Sequence, residues 1–182
     1  GDTRNGFSVT AMGYSSNWNA SDQIPVRAVT QGTISRFGIL DATDGGSTKR
    51  YSLAFDALMS EANQSTRVTA YGFRGRLNLF QNFTYFLADP INGDQVEQAA
   101  GRWVSGGKVV HRRLGRVFDR HTESSVGVSL RQDNVASVGL YPTVAKRRVG
   151  VYRQDNVQQT TLGVFAQSEV EWTDFFRTTL GL

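Results

Sequence analysis

Between residues 67 and 87 apolar and polar side chains alternate with a period of two. The odd positions read Arg67, Thr69, Tyr71, Phe73, Gly75, Leu77, Leu79, Gln81, Phe83, Tyr85 and Leu87; Arg74, Arg76, Asn78, Asn82 and Thr84 are among the even ones. Neighbouring side chains on a β-strand point to opposite faces, so this pattern predicts a strand with one apolar and one polar face. The alternation returns at Tyr51, Leu53, Phe55, Ala57 and Met59, at Val126, Val128 and Leu130, and at Leu162, Val164, Ala166, Val170 and Trp172. It is weaker from Phe7 to Ala11 and ambiguous over 102–115. The pattern predicts about seven long strands, at 6–15, 49–61, 66–87, 102–116, 122–141, 157–172 and 175–182.

The connections between them alternate in length. Those at 16–48, 88–101 and 142–156 are long, whereas those at 62–65, 117–121 and 173–174 are short. Outer-membrane barrels sort their loops in this way, and a soluble sandwich has no reason to. Length adds to the argument: Tyr71 to Phe83 spans roughly 40 Å along a strand, or roughly 28 Å when tilted by about 45°. The expected architecture is therefore all-β, an antiparallel up-and-down meander forming part of a transmembrane β-barrel. Within it, 49–61 and 66–87 are expected to pair through Ala62 to Ser65, with Phe55 opposite Phe73 and Asp56 diagonal to Arg74 on the other face. Trp172 is expected opposite Phe176, with Tyr71 near the same short-turn end.

Composition narrows the picture. The 182 residues are 39% hydrophobic with mean hydropathy −0.35, and no apolar run reaches the roughly 18 residues a membrane helix needs. There is no cysteine, which removes disulfides and thiolate metal sites. A net charge of +4 raises nucleic acid as a partner, but the cations are scattered apart from Arg112-Arg113 and Lys146-Arg147-Arg148. Ordinary surface charge accounts for them, so no nucleic-acid partner is expected.

The segments NGFSVTAMGYSSNWNASDQIP, NLFQNFTYFLADPINGDQVEQA, SVGVSLRQDN followed by VGLY, and EVEWTDFFRTTLGL resemble consecutive barrel segments of TonB-dependent outer-membrane receptors. The resemblance implies a bacterial outer-membrane location and uptake of an iron-siderophore, haem, cobalamin or similar scarce nutrient. It also implies that 1–182 is a partial barrel domain, with the plug and the C-terminal strands absent. Contact with the TonB complex would then run through the missing plug region, and outer-membrane lipid would surround the wall. A small complete outer-membrane barrel acting structurally or as an adhesin, and a soluble β-sandwich binding module, are the alternatives.

Catalytic chemistry has little to stand on. His111 and His121 lie near Ser105 and Ser124 in sequence, but no third group orients a base and no G-x-S-x-G motif is present. Asp89, Asp94 and Glu97 lack EF-hand spacing, and Pro90 with Asn92-Gly93 reads as turn chemistry. Neither enzymatic activity nor a cofactor or metal is expected. Arg74, Arg76, Asp56, Arg131, Asp133 and Glu169 are assigned to a water-filled lumen. The ligand-binding candidates are Asn82, Thr84, Phe86, Arg131 and Asp133, placed near the extracellular ends of strands. Cationic and aromatic groups there suit an anionic, catechol-bearing or planar ligand.

Overall fold

A computed structural model describes residues 5–182. The order of elements is β1 (Gly6–Asn19), α1 (Val26–Thr30), β2 (Gly45–Glu61), β3 (Gln64–Gln81), β4 (Val96–Val117), β5 (Arg120–Val144), β6 (Arg147–Arg148), β7 (Arg153–Thr173) and β8 (Phe176–Gly181). They form one antiparallel sheet in the order β1-β2-β3-β4-β5-β7-β8, with the two-residue β6 attached to β5. Among the described residues β1 and β8 each pair with one neighbour, so the sheet is not closed.

The expected parity of connections is present. Residues 62–63, 118–119 and 174–175 are tight turns, whereas 20–44, 82–95 and 145–152 are long. Phe118 and Asp119 both have positive φ, 49° and 58°, the hand that matches the twist of paired strands in a two-residue hairpin. At the other end, Gly45 has φ +135°, and a Cβ there would lie 2.1 Å from the carbonyl oxygen of Trp18. Only glycine lets β2 begin so close to the end of β1.

Several expectations are corrected. β3 ends at Gln81, so Phe83, Tyr85 and Leu87 belong to the connection 82–95 and the 40 Å strand from Tyr71 to Phe83 does not exist. Helix α1 and the strand β6 went unforeseen, and β4, β5 and β7 all extend further toward the long connections. The β2–β3 register also differs: Phe55 lies opposite Ala70 and Asp56 opposite Thr69, not Phe55 opposite Phe73. The turn is only Ala62-Asn63, so Ser65 and Gln64 are already paired with Ser60 and Glu61. An odd displacement moves every β3 side chain to the other face. Asp56 and Arg74 are therefore on opposite faces, and Asp56 instead holds Arg67 at 2.9 Å. At the last hairpin Thr173 faces Phe176, and the ladder is irregular between Glu171 and Thr173. Trp172 sits in that irregularity, bonding Thr178 Oγ1 at 2.8 Å. Tyr71 lies mid-strand opposite Ala54 and Gly106, away from the short turns.

The register sorts side chains into two faces. One face carries the cross-strand rows Phe7, Ala57, Val68, Val109, Val128, Val164 and Val9, Phe55, Ala70, Gly107, Leu130, Leu162. The intervening rows on the other face read Ser8, Asp56, Thr69, Lys108, Ser129, Gly163 and Thr10, Ala54, Tyr71, Gly106, Arg131, Thr161. The apolar side is solvent-accessible in this sheet, with Phe7 at 77% and Val164 at 70% exposure. Such a contiguous apolar band demands a cover.

Candidate functional site

On the polar face the sequence builds a platform of aromatics and cations. Tyr71, Gly106 and Arg131 are successive cross-strand neighbours. A Cβ on Gly106 would stand 2.7 Å from the Tyr71 hydroxyl, so the missing side chain lets the ring lean across β4 toward Arg131. Phe165 lies over Gly127 in the same way, bringing its ring within 4.9 Å of Lys108 Nζ. Arg50 stacks on Phe73 at 4.3 Å. Aromatic faces hold cations in this geometry without neutralising them.

Two of the five sequence candidates come together here. Arg131 donates to Asp133 at 2.6 Å, and Arg102, unforeseen, reaches the same carboxylate at 2.5 Å. Asp133 is buried, while Arg131 and Arg102 stay about half exposed. One carboxylate thus fixes two guanidinium groups side by side while leaving donors turned outward. Of the residues assigned to the lumen, Asp56, Arg131, Asp133 and Glu169 share this face, whereas Arg74 and Arg76 lie on the other.

The other three candidates belong to the long connections. Asn82 is buried; its amide groups donate to Asp22 at 3.3 Å and Asp41 at 3.2 Å. Thr84 donates to Asp94 at 2.8 Å and its carbonyl receives Arg27 at 2.5 Å. Phe86 covers Gly93 and meets Tyr85 edge-on at 4.6 Å. These side chains shape the loops and are not joined to Arg131 and Asp133 by any hydrogen bond or ion pair among the described residues.

Asp94 is the organiser of 82–95. Its carboxylate receives the backbone N–H groups of Leu87, Ala88 and Asp89 at 2.7–3.1 Å. Partial burial opposes ionisation, but these donors outweigh it and hold the carboxyl below its ordinary value. Gln95 then ties three segments together: its side-chain nitrogen donates to Asp41, Thr43 and Asp44 at 2.7–3.1 Å. Its oxygen accepts from Thr143 at 3.0 Å and from the Lys146 amide at 2.9 Å. Asp44 is buried, and that burial, with Asp41 and Asp22 nearby, pushes its carboxyl up to about 6 against the Gln95 hydrogen bond. Sequence reading missed this knot because its members are far apart in the chain.

His111 accepts from or donates to Thr66 at 3.0 Å, and Ser124 pairs with Ser168 at 2.9 Å, so neither histidine–serine pairing is assembled. Among the described residues no three His, Asp or Glu side chains converge as metal ligands. No protein-family model, curated protein or solved structure matches this chain.

Proposed function

We propose that the sheet is one sector of a transmembrane β-barrel in an outer-membrane receptor of the TonB-dependent class, importing an anionic iron chelate or a similar scarce nutrient. The observation that carries this reading is the pair of opposed surfaces at the same depth: exposed Val, Leu and Phe rows on one face, and Arg, Lys, Asp and Thr on the other. The long and short connections fall at opposite ends of the same strands, as in such barrels. Tyr51 to Met59 spans roughly 26 Å of strand, which at about 45° is near 20 Å of depth, comparable with an outer-membrane apolar band. Trp172, Phe118, Phe175 and Phe176 cluster at the short-turn end, where an interfacial aromatic belt belongs. The resemblance of the quoted segments supplies the receptor class.

In this reading the apolar face meets lipid and the polar face lines the water-filled interior. Arg50, Arg102 and Arg131 present cationic donors beside the rings of Tyr71 and Phe73. That surface suits a chelate carrying negative charge and planar aryl groups, held by charge-assisted hydrogen bonds and stacking. No reaction is required of it.

The absence of cysteine makes the test clean. Single cysteines placed at 126 and 128 to 131 in the protein inserted into lipid vesicles should react with a water-soluble maleimide at 129 and 131; Gly127 is left in place because Phe165 covers it. Positions 126, 128 and 130 should stay protected. Uniform labelling would remove the membrane reading. Uptake of a ferric catechol chelate should fall in the Arg102→Ala, Arg131→Ala double variant, and undiminished uptake would remove the ligand assignment.

A further inference from the structure

A second surface lies on the apolar face, toward the long connections. An apolar groove of about 840 Å³ runs across β1 to β4, floored by small residues such as Ala70 and Gly72 and walled by Tyr51, Leu53 and Trp103. Trp103 and Arg74 close its upper end, and the same two residues open a neighbouring cavity of about 540 Å³ that also holds Arg76. The two cavities thus adjoin across Trp103 and Arg74, one greasy and one cationic.

The cations are arranged against each other. Lys49 is directly opposite Arg76 in the register, and Tyr51 directly opposite Arg74. Like charges facing across a ladder are destabilising, yet among the described residues Lys49, Arg74 and Arg76 form no ion pair. All three are exposed. Arg148, which also borders the upper cavity, is already held by Glu97 at 2.5 Å and serves as its wall.

We infer that this is a binding site for a phosphate-bearing anionic lipid, with the headgroup phosphate between Arg74, Arg76 and Lys49 and one acyl chain along the groove beneath. The inference rests on the reading of this face as membrane-facing. Charge complementarity selects the occupant: a zwitterionic headgroup or a neutral hydrocarbon leaves the three cations repelling one another. Depth agrees, because Tyr51 and Trp103 mark the boundary between apolar rows and cations. Arg76 has Gly101 as its other cross-strand neighbour, leaving room for a headgroup rather than a side chain.

Trp103 gives the readout. With Trp18→Phe and Trp172→Phe in place, its fluorescence is measured in bilayers doped with chain-brominated phosphatidylglycerol or chain-brominated phosphatidylcholine. A basic residue near an anionic surface contributes on the order of a fivefold preference. With three such residues the anionic lipid should therefore quench at a mole fraction about 125-fold lower, and Arg74→Gln with Arg76→Gln should cut the difference to about fivefold. Arg76→Gln alone should lose about fivefold of the preference without loss of stability, since it removes the repulsion from Lys49. Equal quenching by both lipids overturns the site while leaving the membrane face intact; no quenching by either overturns the membrane face itself. Loss of the preference on adding millimolar inorganic phosphate at constant ionic strength, with choline-headgroup lipid unaffected, would mean a free-anion site and overturn the lipid assignment.

Discussion

Replacing Val68 and Thr69 separately by arginine isolates the β2–β3 register. Val68 stands between Ala57 and Val109 on the apolar face, and Thr69 between Asp56 and Lys108 on the polar one. From Val68 to Arg74 is six residues, roughly 20 Å of strand, or about 14 Å of depth at a 45° tilt. The turn at Asn63 is five residues away in the other direction, about 12 Å of depth. Val68 therefore sits near the middle of the proposed bilayer, where an arginine costs about 2–4 kcal/mol. Thr69→Arg projects into water beside the Asp56 carboxylate, whose ion pair with Arg67 limits further gain; a change within about 1 kcal/mol is expected. Urea titrations of the protein folded into phospholipid vesicles, followed by tryptophan fluorescence, measure both. The alternation within β3 alone predicts the reverse order, since its odd positions carry Tyr71, Phe73, Leu77 and Leu79. A larger loss at Thr69, or equal losses, would refute the face assignment.

Three further outcomes are expected. Asp119→Gly should raise stability by about 0.5–1 kcal/mol in the same titration, because Asp119 holds φ at 58° where glycine is unstrained. Asp94→Ala removes the acceptor of three backbone N–H groups and should weaken 82–95 locally by about 1–3 kcal/mol; amide exchange at Leu87, Ala88 and Asp89 should accelerate, and unchanged protection would contradict the role given to this carboxylate. Asp44, with its folded pKa near 6 against an ordinary 3.8, binds a proton more tightly in the folded loops. The stability it adds is complete below about pH 3.8 and disappears as pH rises through 6, amounting to at most about 3 kcal/mol before solvent screening. Amide exchange at Ala20, bonded to the Asp44 carbonyl, should show the loops opening more readily at pH 7.5 than at pH 5 after correction for intrinsic rates, and Asp44→Asn should flatten that difference.

The all-β, antiparallel meander was legible in the sequence because alternation and turn spacing are local. Tyr51 to Met59, Val126 to Leu130 and Leu162 to Ala166 announce their strands and share one face, as their pattern implies. What escaped is what depends on distant partners. Asn82, Phe83 and Tyr85 continue the alternation of β3 in sequence, yet Asp22 and Asp41 draw Asn82 out of the ladder and into the loop knot. Arg131 and Asp133 were found by their charge and their common face, whereas Arg102 was hidden in the ambiguous stretch of β4 that only pairing resolves.

The β3 error shows why one amphipathic strand cannot name its own faces. Periodicity separates odd from even positions, but which set meets the apolar side is a property of the whole row. Tyr71 and Phe73 are apolar residues on the polar face for a physical reason: Phe73 supports Arg50 and Tyr71 leans over Gly106 toward Arg131. Rings placed there hold cations in position while leaving their charge unspent. Their even-numbered neighbours Val68, Ala70 and Gly72 are smaller than the rings on the odd positions, yet each adjoins an apolar β2 residue, Ala57, Phe55 or Leu53. A small side chain between large ones belongs to the apolar surface through its neighbours, and at Ala70 and Gly72 it is also what leaves the groove open. The residues that made β3 misleading are thus the same ones that give one face its cationic platform and the other its cavity.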